Sequence, residues 1–160
     1  MSRFAIDKAR QVHQRHPGLA FPVDMDLLAN DEGCECLDWP FLEPVKEVKQ
    51  GRWIGVARGL PQEERRYLIA HALAHHLLHC GNQLSFRGWQ TKYRQRQERE
   101  ADCCAAHILM PENELNKTVQ MSLSEIAEHF GAPEDLVLRR MSVFALHEEI
   151  LRWQSSPDTP

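Results

Sequence analysis

Two histidines four residues apart, His71 and His75, sit inside an otherwise apolar stretch, and they constrain the fold more than any other feature. Tyr67, Leu68, Ile69, Leu73, Leu77 and Leu78 surround them. A helix with about 3.6 residues per turn returns positions four apart to one side, so both imidazoles leave the same face of a buried helix. Buried imidazoles need partners, and a metal ion is an efficient one. Further along, Glu98 and Asp102 repeat the spacing within Glu98-Arg99-Glu100-Ala101-Asp102. Glu98 can supply a third ligand, while Asp102 can accept the outer N–H of a ligating histidine and fix its ring. Core or capping histidines beside a solvated charged run would explain either half alone. The combination of spacing, apolar context and paired carboxylates favours a metal site, and two histidines with one carboxylate favour zinc.

Ala72 is the flaw in this pattern. In the H-E-x-x-H arrangement a glutamate follows the first histidine, takes a proton from the attacking water and passes it to the leaving amine. An alanine does neither, and loss of a general base typically costs about 10² to 10⁴ in rate. The expectation is a chain that binds metal and hydrolyses poorly or not at all.

The surrounding sequence suggests an α+β fold. Phe4 to Arg15 suits a first helix, ended by Pro17-Gly18, and Pro22 opens a short second one with Asp24 as cap and Leu27, Leu28 and Ala29 facing inward. Cys34 to Leu37, Val45 to Lys49 and Trp53 to Ala57 read as strands, the last two joined as a hairpin at Gln50-Gly51. Pro61 followed by Gln62-Glu63-Glu64 starts the histidine helix, which Gly81-Asn82 stops. Gln83 to Tyr93 reads as a loop, and a third strong helix runs from about Gln95 to Met110, cut by Pro111. Leu123 to Phe130, Gly131-Ala132-Pro133 and Glu134 to Leu146 form a helix, turn and helix, with Ser124 as the first cap and possible extension to Trp153.

Residues 1–115 are expected to form the metal-binding core, 116–153 a helical unit packed on it, and 154–160 a frayed tail. The net charge of −4 offers no overall basic field for nucleic acid or anionic lipid, and no apolar run reaches a membrane span. Five cysteines without a C-x-x-C pair argue against a disulfide framework and make the cytoplasm the natural compartment.

The sequence resembles the ImmA/IrrE family of metallopeptidases. The family's helix reads arginine, an aromatic residue, a few small or apolar residues, then H-E-L-G-H-L-L-L-H; this chain has Arg66-Tyr67-Leu68-Ile69-Ala70-His71-Ala72-Leu73-Ala74-His75-His76-Leu77-Leu78-His79. A second signature, E-x-x-A-N and a small-residue helix ending L-M-P, resembles Glu98 to Pro111. The likeness extends over roughly residues 20–145. It implies His71, His75 and Glu98 as zinc ligands, and a small sheet of about three antiparallel or mixed strands against zincin-type helices. It also implies a helix-turn-helix repressor or antitoxin-like protein as substrate or partner, in stress-response or mobile-element control. Asp102 stands where asparagine is frequent and still accepts hydrogen bonds; Cys104 replaces a frequent phenylalanine. Ala72 alone touches mechanism. It marks either a change made to trap a partner or a natural non-catalytic zinc module, and retention of the rest of the site favours the first.

Other features have plainer readings. Tyr93, His107 or Trp89 can contact substrate or a developing oxyanion, but nothing in the sequence selects among them. His79 suits a helix-end role, and Cys103 and Cys104 suit packing. Phe86, Trp89 and Tyr93, set among Arg87, Lys92, Arg94 and Arg96, form the one basic-aromatic stretch, better suited to a peptide cleft than to nucleic acid, with a mobile loop as the plainer alternative. The Ser124 to Arg140 pattern resembles a DNA-reading motif. With only Arg139 and Arg140 basic against Glu134 and Asp135, it reads as a packing or partner-docking unit.

Overall fold

The computed structural model describes residues 2–79 and 91–154, apart from the side chains of residues 91 and 146–154. The expected helix stop at Gly81-Asn82, most of the expected loop with Phe86, Arg87 and Trp89, and the tail beyond Gln154 lie outside these residues. The chain folds as α+β. The helices are α1 (Arg3–Arg15), α2 (Met25–Asp31), α3 (Gln62–Leu78), α4 (Thr91–Leu109), α5 (Glu112–Leu115), α6 (Leu123–Phe130) and α7 (Glu134–Gln154), with a 3-10 turn at Asn116–Thr118. The strands β1 (Glu35–Trp39), β2 (Glu47–Gln50) and β3 (Trp53–Ala57) form one mixed sheet in the order β1-β3-β2.

The β2–β3 hairpin is antiparallel, as expected, with Gly51 supplying the positive φ of its turn (58°). β1 joins the other side of β3 in parallel, leaving β2 on an edge. Ile54 and Val56 of β3 are fully buried on the face that meets α3. Directly opposite them stand Lys49 and Glu47 of β2, so the inward residues of this strand are charged. The strand starts later than Val45, which precedes it and is exposed, and Lys49 is buried. Pairing to β3 decides the face, because Val45-Lys46-Glu47-Val48-Lys49 lacks a period of two.

α3 begins after Pro61, with Glu63 and Glu64 in its first turn. It is covered by the sheet, by α2 and most extensively by α4. Ile69, Ala70, Ala72, Leu73 and Ala74 are buried along it, and Ala101, Cys104, Ala105 and Ile108 answer from α4. Small side chains on both helices let their backbones come close, which brings short histidine and carboxylate side chains within reach of one another. α1 packs on α4 through Ala5, Ala9 and Val12, and His13 Nε2 donates to the Ile108 carbonyl at 2.9 Å.

Three local expectations are corrected. Leu27 is 63% exposed, because Asp24 caps α2 through the Leu27 N–H and the inward stripe is Met25, Leu28 and Ala29. α4 begins at Thr91, so Tyr93 lies on its first turn and not in a loop; residues 92–96 are exposed, with no apolar period to announce a helix. α6 is capped by Ser122, not Ser124: Ser122 and Glu125 form a reciprocal capping box.

α6 and α7 are tied to the core by two arginines. Arg66 of α3 donates to the Val23 carbonyl at 3.1 Å and to the Gly131 carbonyl at 2.7 Å, gripping the turn between the helices. Buried Arg140 of α7 donates to the Met110 carbonyl at 3.2 Å. Among the described residues, no helix is long and apolar enough to cross a membrane.

Candidate metal centre

The centre forms where the middle of α3 faces α4. His71 Nε2 and His75 Nε2 lie 3.1 Å apart. Glu98 Oε2 is 3.3 Å from the first and 3.5 Å from the second. These donors form a group in which all ligand atoms lie within 4.8 Å of one another. Tetrahedral zinc with bonds of about 2.0–2.1 Å separates neighbouring donors by roughly 3.3 Å, so the three spacings fit edges of such a tetrahedron. Two ring nitrogens and a carboxylate oxygen this close direct lone pairs at a common region, which a proton or cation must neutralise. The donor set therefore fits a divalent metal.

Behind His71 stands Asp102, its Oδ1 3.0 Å from His71 Nδ1. The approach is short but bent, and the buried Nδ1 lacks an aligned hydrogen bond. Asp102 is the carboxylate nearest this ring nitrogen, in the place of a group that would orient the ring. The Tyr67 hydroxyl donates to the same oxygen at 2.6 Å. Tyr67, His71 and His75 thus succeed one another at four-residue steps, continuing the ligand row one turn back.

Electrostatics follow from this arrangement. Burial pulls the His71 imidazole down, but Asp102 and Glu98 outweigh it and raise its pKa to about 10. Hydrogen bonds from His71 and His75 hold the Glu98 carboxyl well below the usual range. Asp102 is also lowered: burial opposes ionisation, while His71 and Tyr67 favour it more strongly. Glu47 behaves in the opposite way. Burial drives its pKa up to about 7; His71 works against the shift, and Glu98 and Asp102 add to it. The edge-strand carboxyl therefore lies within the electrostatic field of the centre.

Ala72 is fully buried beside the ligands and presents only a methyl group. Tyr93 is 57% exposed at the start of α4, Trp89 is outside the described residues, and His107 lies elsewhere on α4. The His107 Nδ1 donates to the Cys103 carbonyl at 2.7 Å, and burial lowers its pKa to about 4. It lines a cavity of about 690 Å³ with Cys103, Arg139 and Arg140. His79 turns toward α4, its Nε2 3.9 Å from Glu100. Burial raises the thiol pKa of Cys103 and takes that of Cys104 to about 12, which suits packing.

Reading the sequence missed two residues here. Tyr67 was legible as part of the four-residue row, but passes for an apolar flank. Glu47 carried no signal, since its face depends on strand register.

A histidine pair on one helix, a carboxylate from the next and a small sheet against the first make a metallopeptidase-type fold with a candidate metal site. The chain belongs to the peptidase M78 family: residues 41–142 match its IrrE N-terminal-like domain. No curated protein matches the sequence. Among solved structures, a Mycobacterium tuberculosis transcriptional regulator is similar, with a TM-score of 0.68 and 17% identity. The similarity covers 88% of this chain and 47% of that one, so this chain spans about half its length. The likeness is one of fold.

Proposed function

We propose that the chain is a zinc-dependent endopeptidase scaffold of the ImmA/IrrE type, directed at a helix-turn-helix repressor-like protein, whose helix-borne general base is missing. The observation that carries the metal reading is the three-donor cluster at tetrahedral spacing, with Asp102 and Tyr67 behind it. A bound zinc ion would supply Lewis acidity, polarising a peptide carbonyl and acidifying a water. His71, His75 and Glu98 would hold it, and Asp102 would set the His71 ring. Among the described residues no strand pairs with the outer edge of β2, and an extended peptide added there would run beside α3. Ala72 leaves position 72 without a proton acceptor, so hydrolysis by that route is lost.

The repressor-like target is supported by family membership and by the fold shared with a protein described as a transcriptional regulator. The cytoplasm is the compartment in which such a target would be met. A second reading, a non-catalytic zinc module that docks a partner regulator, is favoured by Ala72 itself. Metal analysis of purified protein, followed by incubation of the chain and of Ala72→Glu with helix-turn-helix repressor-like proteins, tests both. Cleavage by Ala72→Glu well in excess of the parent's supports the peptidase; a stable complex cut by neither supports the docking module. Absence of stoichiometric metal sinks both.

A further inference from the structure

We infer that Glu47, reaching from the edge strand β2, is the carboxylate that takes up the water proton which position 72 cannot accept. This rests on the metal-centre reading above. Pairing opposite Val56 sends the Glu47 side chain to the face of the sheet that meets α3. There it senses His71, Glu98 and Asp102 together, groups from both helices of the centre. It does not belong to the cluster whose donor atoms lie within 4.8 Å of one another. Glu47 thus faces the helix that carries the histidines without being one of the three donors.

The other two carboxylates are engaged. Glu98 lies against both histidines, and Asp102 lies between His71 and the Tyr67 hydroxyl. Among the described residues, Glu47 has no hydrogen-bond or ion-pair partner, although it is half-buried. A carboxyl group with a pKa near 7 can both accept and return a proton at neutral pH, and burial has brought Glu47 to about 7. Positive charge at the ligands would lower the value and favour the ionised, accepting form.

The step balances. Glu47 accepts one proton from water as the water oxygen bonds to the scissile carbonyl carbon. It gives that proton to the amide nitrogen as the C–N bond breaks. One peptide and one water become a carboxylic acid end and an amine end, and Glu47 is again ionised. Glu47 thereby gives this chain a slow route to hydrolysis that does not need a glutamate on α3.

Cobalt(II) in place of zinc gives a readout that does not depend on turnover. The visible spectrum of the cobalt-loaded chain is followed from about pH 5 to 9, beside Glu47→Gln and Glu47→Asp. The midpoint of its pH transition should move by at least about one unit in Glu47→Gln and by less in Glu47→Asp. Cobalt affinity should stay within roughly 3-fold of the parent, because Glu47 is not a ligand. A parent spectrum flat with pH, or a midpoint unmoved by Glu47→Gln, overturns the assignment. So does a fall in affinity of about 30-fold or more, which would make Glu47 a ligand. If Glu47→Gln does not fold, Glu47→Asp decides: a displaced midpoint supports the role and an unmoved one overturns it. A parent chain that takes up no cobalt refutes the metal centre itself, a failure distinct from these.

Discussion

His71 Nδ1 and Asp102 Oδ1 face each other at 3.0 Å across the α3–α4 interface, with the opposite ring nitrogen aimed at His75 and Glu98. One carboxylate is therefore placed to orient the ring of a candidate metal ligand without replacing it. Asp102→Ala should weaken zinc binding by about 10- to 100-fold, the usual cost of losing such a partner. Tyr67→Phe leaves Asp102 in place and removes only the hydroxyl that steadies it, so a loss of roughly 3- to 10-fold is expected. Competition titration against a chromophoric chelator measures both. Equal losses would mean that Asp102 and Tyr67 act as one unit.

The same arrangement makes metal binding compete with protons. His71 binds a proton up to a pKa of about 10, against an ordinary value of 6.5. At neutral pH a metal must displace that proton, so affinity should rise with pH by up to about 10-fold per unit until His71 deprotonates. Calorimetry in buffers of different ionisation enthalpy should report release of about one proton. The metal-free chain has the opposite trend. A raised folded-state pKa contributes stability fully present below pH 6.5 and lost as pH climbs toward about 10. Thermal unfolding with and without zinc should therefore diverge over that window.

The parts of this centre that were legible in the sequence are those fixed by local spacing. His71 and His75 need only a helix to share a face, and Pro61 with Glu63 and Glu64 marks where that helix begins. Glu98 and Asp102 obey the same rule on α4, although the start of α4 was obscured by its polar first turn. The cap of α6 was also readable: Ser122 has Glu125 three residues on, whereas Ser124 has Ala127. Glu47 was not readable. A strand residue changes faces with a one-residue slip in register, and the register of β2 is set by β3 through a turn.

Arg66 and Gly131 join the metal helix to the C-terminal pair of helices. Gly131 has φ 53°, and a Cβ there would run into the Arg66 guanidinium. Gly131→Ala should cost about 1–2 kcal/mol for the left-handed backbone alone, and more where Arg66 must yield. The Arg66 contacts to Val23 and Gly131 carbonyls are the ones at risk. Chemical denaturation should show the loss. Arg66→Ala combined with Gly131→Ala should destabilise by less than the sum of the single changes, because the conflict with the guanidinium is then gone and only the approach to Pro22 Cβ at 2.9 Å remains.

Ala72→Glu tests how a buried position tolerates the missing carboxylate. Ala72 is fully buried, so a longer acidic side chain must displace neighbours or be accommodated at the mouth of the centre. Glu47, Glu98 and Asp102 already concentrate carboxylates around His71. In the metal-free state, a fourth should lower stability by about 1–3 kcal/mol through overpacking, with like-charge repulsion acting in the same direction. A bound dication reverses the electrostatic part by giving the added charge an opposite partner. Zinc should therefore raise the Tm of Ala72→Glu more than that of the parent, with chelator-treated samples as the reference. Equal zinc shifts would place the new carboxylate away from the centre, and any gain in hydrolysis would then need another origin.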